Sequence, residues 1–203
     1  MDKKRIVVAS DNEHKIKELK DILKDFPFDI FTMKEVGLDI DIEESGSTFL
    51  ENAYIKAKTV FDLLEDTIVL ADDSGLSVDC LDGAPGVYSA RFSGVHGNTK
   101  KNNEKLLSLM EGKINEDRKG RFVCAIVLII DKEMVIKVQG EVEGYITIQL
   151  SGDEGFGYDP LFYVPAFNKT FAQMSSKEKN SISHRGRALE KLRYKLESFT
   201  FGD

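Results

Sequence analysis

Hydrophobic and polar positions along this chain fall into two periods, and the switches between them divide it into strands and helices. Arg5 to Ala9 is a short apolar run with the length of a buried strand. Ser10-Asp11-Asn12 then supplies helix-capping residues, and Ile16, Leu19, Ile22, Leu23 and Phe26 recur at helical spacing, which predicts a helix from Glu13 to Phe26. Phe28 to Thr32 reads as a second strand. Periodicity is lost between Glu35 and Gly46, where Asp39, Asp41, Glu43 and Glu44 gather. Thr48-Phe-Leu-Glu51 has the spacing of a capping box and opens a helix to about Leu64, with Phe49, Ala53, Ala57, Val60, Phe61 and Leu64 inward.

Ile68 to Ala71 is the most strand-like stretch, and the pattern places Asp72 and Asp73 at its end, where open α/β sheets carry their chemistry. Leu76 to Leu81 is again apolar, and Gly83-Ala-Pro-Gly86 is a turn. Tyr88, Arg91 and Phe92 follow in a short element without a clear period. A helix from Asn98 carries Leu106, Leu107, Leu109 and Met110 to a polar loop at Glu111 to Lys119. Three strands come next, Arg121 to Ile130, Met134 to Gln139 and Glu141 to Ile148, the first two joined by a tight turn at Asp131-Lys132 as an antiparallel hairpin. Ser175-Ser-Lys-Glu178 repeats the capping pattern, and a last helix carries Leu189, Leu192, Leu196 and Phe199. Strands that alternate with helices and then pair with one another predict an α/β fold.

Composition narrows the class. With 203 residues and 41% hydrophobic content, the chain suits one large domain or two closely packed lobes around a real core. There is no repeat or low-complexity tract, and the four prolines are scattered, so no linker is marked. Met1-Asp2-Lys3-Lys4-Arg5 leads into an apolar run too short for a signal sequence or a membrane span, which makes the cytoplasm the expected location. Cys80 and Cys124 lie far apart and are expected to be reduced thiols. A formal charge of −7 disfavours a grip on long nucleic acid, which needs many phosphate-neutralising cations. A single nucleotide needs only a few.

Candidate chemistry sits at five places. Asp72-Asp73-Ser74-Gly75 is either a site or a turn, because Asp and Ser bond their own backbone and Gly accepts positive φ. The helix start at Ser10 to Lys15 offers unpaired N–H groups, the positive end of a dipole and a mobile ammonium for phosphate, although it lacks the glycines of a P-loop; the alternative is an ordinary capped helix. Glu44 in the acidic loop suits Mg²⁺, which commonly uses one or two carboxylates plus substrate phosphate; such a loop is otherwise merely solvated. Gly152 to Pro160 holds Phe156 and Tyr158 between flexible points, where an aromatic face stacks a base for about 1–3 kcal/mol or packs into the core. Finally, His184 and Arg185, with Lys179 nearby, open a helix at the end where cations are disfavoured, which a bound anion or polarised carbonyl would offset.

Several of these segments together resemble a known family. Ser10, Asn12, Lys15 and Glu18; Glu44 with Thr48, Glu51 and Asn52; Ala71-Asp-Asp-Ser-Gly75; Gly83-Ala-Pro-Gly86 through Tyr88-Ser-Ala-Arg91; Gly155-Phe-Gly-Tyr-Asp-Pro160; and Ser183-His-Arg-Gly186 are similar, in order and spacing, to the Ham1-type inosine/xanthosine triphosphate pyrophosphatases. The resemblance runs from residue 6 to about residue 190. It implies a long twisted mixed sheet with flanking helices, two lobes around a central cleft, and a homodimer. It also implies Mg²⁺-assisted hydrolysis of ITP, dITP and XTP to monophosphate and pyrophosphate, removing them from the nucleotide pool. By matching positions, Ser10, Asp11, Asn12, Glu13, His14 and Lys15 would hold the triphosphate, Asp73 would be general base and, with Glu44, metal ligand, and Lys15 would share in catalysis. Ser74, Phe156, Gly157, Tyr158, Asp159, Lys179, His184 and Arg185 would contact the rest of the substrate.

Hydrogen-bond sign gives such a pocket its selectivity. His184 and Arg185 would donate to a 6-keto oxygen, and adenine offers a donor there instead. Guanine would be refused at position 2, where it brings a second donor, while inosine brings a hydrogen and xanthine an acceptor. Two departures from the family pattern stand out: Asp11 where a small residue is common, and Met174 where leucine is usual. The competing readings are a Maf-like pyrophosphatase for pyrimidine or modified nucleotides, and a nucleotide-binding sensor without activity.

Overall fold

The structure, a computed structural model, describes residues 4–24, 28–64 and 67–200. The first strand, β1 (Lys4–Val8), leads into α1 (Glu13–Leu23), whose N-cap Asn12 accepts the Lys15 N–H. Leu19 and Leu23 are the buried residues of α1. Phe26, expected on the same face, lies outside the described residues, as do Met1, Asp2 and Lys3 and the side chain of Phe199. After β2 (Phe28–Thr32) the chain has only a single 3₁₀ turn before α2 (Phe49–Leu63). Both halves of the predicted capping box are made there: Thr48 takes the Glu51 N–H, and the Glu51 carboxylate takes the Thr48 N–H.

Four features of the later chain differ from the sequence pattern. The third strand, β3 (Ile68–Val78), runs unbroken through the two acids, so Asp-Asp-Ser-Gly is neither a turn nor a strand end. Helix α3 (Thr99–Leu109) leaves Leu109 exposed. After β4 (Lys119–Ile129) there is one strand where two were expected, β5 (Val135–Ile146). Gly140 occupies an inward position without disturbing the alternation of Ile136, Val138, Val142 and Ile146, so the strand keeps its phase across it. Two short strands, β6 (Phe162–Val164) and β7 (Lys169–Thr170), precede a terminal helix that is in fact two, α4 (Ser176–Ile182) and α5 (His184–Thr200), broken at the extended backbone of Ser183. No helix among the described residues is long and apolar enough to cross a membrane.

The strands form one seven-stranded mixed sheet in the order β2-β1-β3-β4-β5-β6-β7. Strand β1 pairs in parallel with β2 and β3, while β5–β6 and β6–β7 are antiparallel. The chain therefore departs from β1 to one side for β2 and to the other for β3, which makes the carboxyl end of β1 a switch point where open sheets leave a ligand crevice. Val8 pairs with Leu70, and the Ala9 N–H donates to the Leu70 carbonyl at 2.8 Å. Asp72 and Asp73 thus lie just past the end of β1. The acids stand at a strand end, but it is the neighbour's.

Two compact units make up the chain. The first comprises Met1–Asp73, Cys124–Gly140 and Arg185–Asp203. Strand alternation splits its core: Ile6, Val8, Leu70, Ile126 and Leu128 pack with α1 and α5, whereas Val7, Val69, Ala71, Val127 and Ile129 pack with Ala53, Ala57 and Val60 of α2. The second unit, Ser74–Val123 and Glu141–His184, gathers Leu76, Val78, Leu106, Met110, Phe122, Phe162 and Phe171. Phe122 meets Phe162 edge-on with ring centroids 4.8 Å apart, a favoured aromatic geometry. Arg118, in the segment read as a polar loop, is buried and donates to the carbonyls of Met110, Lys113, Ile146 and Thr147 at 2.6–3.0 Å. The guanidinium thus ties the segment after α3 to the end of β5.

Gly75 is set against the 3₁₀ segment Gly86–Arg91 so closely that an added Cβ would collide with Ser89 Oγ and come within 2.7 Å of the Gly86 carbonyl oxygen. That hydroxyl already accepts the Leu76 N–H at 3.0 Å and donates to Gly86 O at 2.6 Å, so it cannot step aside without breaking both bonds. Gly75→Ala should destabilise the protein by about 1–3 kcal/mol, the usual range for overpacking. Urea denaturation checks this.

Candidate active site

Successive residues of a strand point to opposite faces, and β3 uses this to send two adjacent acids into different surroundings. Asp72 is 0% exposed. Its Oδ2 accepts from Arg185 Nη2 at 3.1 Å and pairs with Lys15 Nζ at 3.4 Å, and the Cys124 thiol lies 3.9 Å away. Arg185, 1% exposed, also pairs with Glu18 of α1. Burial alone would raise the Asp72 pKa, but Lys15, Arg185 and Lys56 together hold it well below the ordinary carboxylate range. From the sequence, a bound anion or polarised carbonyl is expected to offset His184 and Arg185 at this helix start. Asp72 and Glu18 supply that charge from within the protein.

Asp73 has a different set of partners. Its Oδ1 is 3.4 Å from Lys56 Nζ, and its Oδ2 accepts from Asn52 Nδ2 at 3.2 Å. Lys56 Nζ also donates to Glu44 Oε1 at 2.8 Å, so one ammonium bridges two carboxylates. Burial, aided by the neighbouring charge of Glu44, raises the Asp73 pKa against the pull of Lys56, Lys15 and the Asn52 hydrogen bond, leaving Asp73 the more basic of the two acids. For Lys56, burial acts downward, but the charges of Asp73, Asp72 and Glu44 outweigh it and raise the pKa. Among the pairs named, the Asp72 side balances two acids with two cations, and the Asp73 side has two acids for one.

That imbalance bears on metal binding. Among the described residues no three His, Cys, Asp or Glu side chains are grouped as an all-protein metal site. Glu44 and Asp73 nevertheless turn hard oxygens toward a single cation, the Lys56 ammonium, which stands in for an ion there. Two carboxylates completed by phosphate oxygens is a donor set that suits Mg²⁺.

The segment after β1 is arranged as a capped turn. Ser10 and Lys15 are half-buried, whereas Asp11, Asn12, Glu13 and His14 are exposed. The Asn12 N–H bonds Ser10 Oγ at 3.3 Å, and the Lys15 N–H bonds Asn12 Oδ1 at 3.1 Å. Two of the N–H groups expected to be unpaired are therefore held by side chains. Lys15 reaches inward to Asp72, through the pair already described.

The second unit holds the glycine-rich loop. Asp159, 2% exposed, accepts the Phe156 N–H at 2.8 Å and pairs with Lys179 Nζ at 2.7 Å. Lys179 Nζ also lies 4.8 Å from the centre of the half-buried Phe156 ring, within cation–π range. Tyr158 offers no exposed face: its ring is buried, and its hydroxyl donates to the Ser89 carbonyl at 2.9 Å. This corrects the expectation that either aromatic could stack a base, and leaves Phe156. Gly157, at φ +62°, turns its carbonyl to Asn103 Nδ2 at 3.0 Å. His184 is buried and stacks on Phe122, with ring centroids 4.8 Å apart and planes 12° off parallel. Ser74 follows Asp73 in β3 and is half-buried.

Lys56 and Asn103 escaped the sequence reading, and Asn52 was seen only through the family resemblance. Their signal was present. Asn52 and Lys56 stand four apart on the stripe of Ala53, Ala57 and Val60, and Asn102 and Asn103 stand on that of Leu106 and Met110. A polar residue on the buried stripe of a helix needs a partner, and here the partners are Asp73, Glu44 and Gly157.

An open mixed sheet with a switch point and buried, ion-paired acids beyond β1 defines an α/β protein of the kind that takes a small ligand at the carboxyl end of its strands. The model of the Ham1 family matches residues 6–195, and the chain belongs to that family. It is 54% identical over 199 residues to a dITP/XTP pyrophosphatase of Clostridium perfringens, covering 96% of this chain and 98% of that one. A dITP/XTP pyrophosphatase of Bacillus subtilis is 46% identical over 195 residues, covering 96% and 98%. Among solved structures, the Ham1 protein of Staphylococcus aureus superposes with a TM-score of 0.85 at 42% identity, covering 96% and 99%. A HAM1 protein from Coxiella burnetii gives 0.86 at 40%, with the same coverage.

Two outcomes follow from the Asp72 cluster. Arg185→Met should cost about 3–5 kcal/mol in chemical denaturation, the usual effect of removing one member of a buried ion pair. Burial, aided by Asp72 and opposed by Arg185, pushes the Cys124 thiol up to about 12. Iodoacetamide at pH 8 should therefore leave Cys124 unmodified in the native protein and label it after unfolding, as read by peptide mass spectrometry.

Proposed function

We propose that this chain hydrolyses dITP, ITP and XTP to the monophosphate and pyrophosphate, with Asp73 as general base. The observation that carries the mechanism is the posture of Asp73: buried, of raised basicity, and oriented through both oxygens by Lys56 and Asn52. A carboxylate fixed in this way can take a proton from a water attacking the α-phosphorus. The water oxygen bonds to phosphorus as the bond from phosphorus to the α–β bridging oxygen breaks. The electron pair leaves with pyrophosphate, and the proton goes to Asp73. Magnesium at Glu44 and Asp73 would supply neutralisation of the triphosphate and of the leaving group. Lys15 adds a point charge for phosphate beside the Ser10 to His14 turn.

Base recognition in this reading falls to residues of the glycine-rich loop and α5. Phe156 provides the stacking face, and Lys179, held by Asp159, fixes the loop that presents it. His184 and Arg185 are the proposed donors to a 6-keto oxygen, with Arg185 anchored by Asp72 and Glu18. Ser74, Gly157, Tyr158 and Asp159 complete the proposed contacts, Tyr158 through its backbone because its side chain is committed to Ser89. The reading includes a homodimer, as the family resemblance implies, and a cytoplasmic setting.

Incubation with ITP, XTP, dTTP or GTP should release pyrophosphate, not orthophosphate, and only from the first two at high rate. Orthophosphate as the first product would rule out attack at the α-phosphorus, and GTP turnover equal to that of ITP would remove the base-selection argument. Asp73→Asn should lower kcat by about 10²–10⁴-fold, the usual contribution of a general base, while nucleotide binding persists in calorimetry.

A further inference from the structure

Glu44 and Asp73 are already occupied. Lys56 Nζ bridges Glu44 Oε1 at 2.8 Å and Asp73 Oδ1 at 3.4 Å, while Asn52 holds the other Asp73 oxygen at 3.2 Å. Lys56 is 7% exposed and stands on the buried stripe of α2, so drawing its ammonium away from both carboxylates would leave buried charge without its partner. A divalent ion that came alone would have to share two carboxylates with a neighbouring positive charge, or displace that charge while giving it no new counter-ion. Either outcome is unfavourable in a buried setting, where repulsion between like charges is poorly screened. No third acidic, His or Cys ligand is grouped there among the described residues to tip the balance.

A triphosphate changes the sum. Its oxygens complete the coordination of a hard cation, and its negative charge gives Lys56 an alternative partner. We propose that Lys56 is a built-in counter-ion that keeps Glu44 and Asp73 from binding a divalent metal by themselves, so that metal and nucleotide enter this site together. The inference rests on the reading of Glu44 and Asp73 as the metal ligands. What it adds is a role for a lysine in ordering the binding steps, which discourages a metal-bound, nucleotide-free protein.

Equilibrium dialysis of the full-length protein against Mn²⁺, with bound ion counted by electron paramagnetic resonance, tests this without recourse to turnover. Measurements are made on the wild type, Lys56→Gln and Glu44→Gln, each with and without the α,β-methylene analogue of ITP. The wild type should retain Mn²⁺ at least about tenfold more tightly with the analogue than without it, and Glu44→Gln should lose that gain. Lys56→Gln should bind Mn²⁺ alone at least about tenfold more tightly than the wild type does. Wild-type protein that binds Mn²⁺ equally well without the analogue overturns the inference and leaves the metal site standing. A folded Lys56→Gln protein with no gain overturns it too. Absence of retained Mn²⁺ even with the analogue, or a Glu44→Gln protein that matches the wild type, removes the metal site and the inference together. Circular dichroism establishes folding of the variant; should Lys56→Gln not fold, Lys56→Met is measured in its place, with the same gain in Mn²⁺ affinity expected and its absence overturning the inference.

Discussion

Two adjacent carboxylates buried in one strand set the terms for the first unit. A charge removed from water must be paired, and residues that neighbour each other in β3 point to opposite faces, so no one cation can serve both acids equally. Asp72 is met by Lys15 from α1 and Arg185 from α5, with Glu18 bracing the arginine. Asp73 is met by Lys56 and Asn52 from α2, with Glu44 sharing the lysine. Each helix packed on this part of the sheet thus contributes a polar group as well as an apolar stripe. The burial of β3 and the placement of three helices are two sides of one requirement.

The same arrangement separates the acids by basicity. Asp72 is so heavily compensated that its pKa is held well below the ordinary carboxylate range, which suits an anchor for cations. Asp73, with fewer compensating charges and a raised pKa, is the one suited to exchange a proton. Strand alternation in the sequence already points the two neighbours to opposite faces. Their difference comes from which face of the sheet each enters.

The second unit solves a different problem, holding a glycine-rich loop in one conformation. Asp159 ties the loop to itself through the Phe156 N–H and to α4 through Lys179, Tyr158 reaches Ser89, and Asn103 takes the Gly157 carbonyl. Backbone freedom at Gly155 and Gly157, both at positive φ, is thereby confined by the side chains of Asn103 and Lys179 and by the Ser89 carbonyl. Ser89 connects this loop to β3, since its hydroxyl holds the Leu76 N–H.

Most secondary structure was legible in the residues because its causes are local. The caps at Asn12, Thr48, Asn98 and Ser175 act within three or four positions, and the apolar stripes of α1, α2 and α5 repeat over a single helix. Where local cues failed, glycine or acid was mistaken for punctuation: Gly140 does not break β5, and Asp72 to Gly75 does not end β3. A strand whose flanks are both covered continues through such residues when tertiary partners satisfy them. By itself the sequence determined the order of elements up to β4, the family, and the candidacy of Glu44, Asp73 and Lys15. Only the tertiary structure decided which charges pair, because Arg185 meets Asp72 across 113 positions and Lys56 meets Asp73 across 17. Periodicity reports the face a residue occupies, but the partner opposite that face depends on sheet order and helix packing, and no local pattern encodes either.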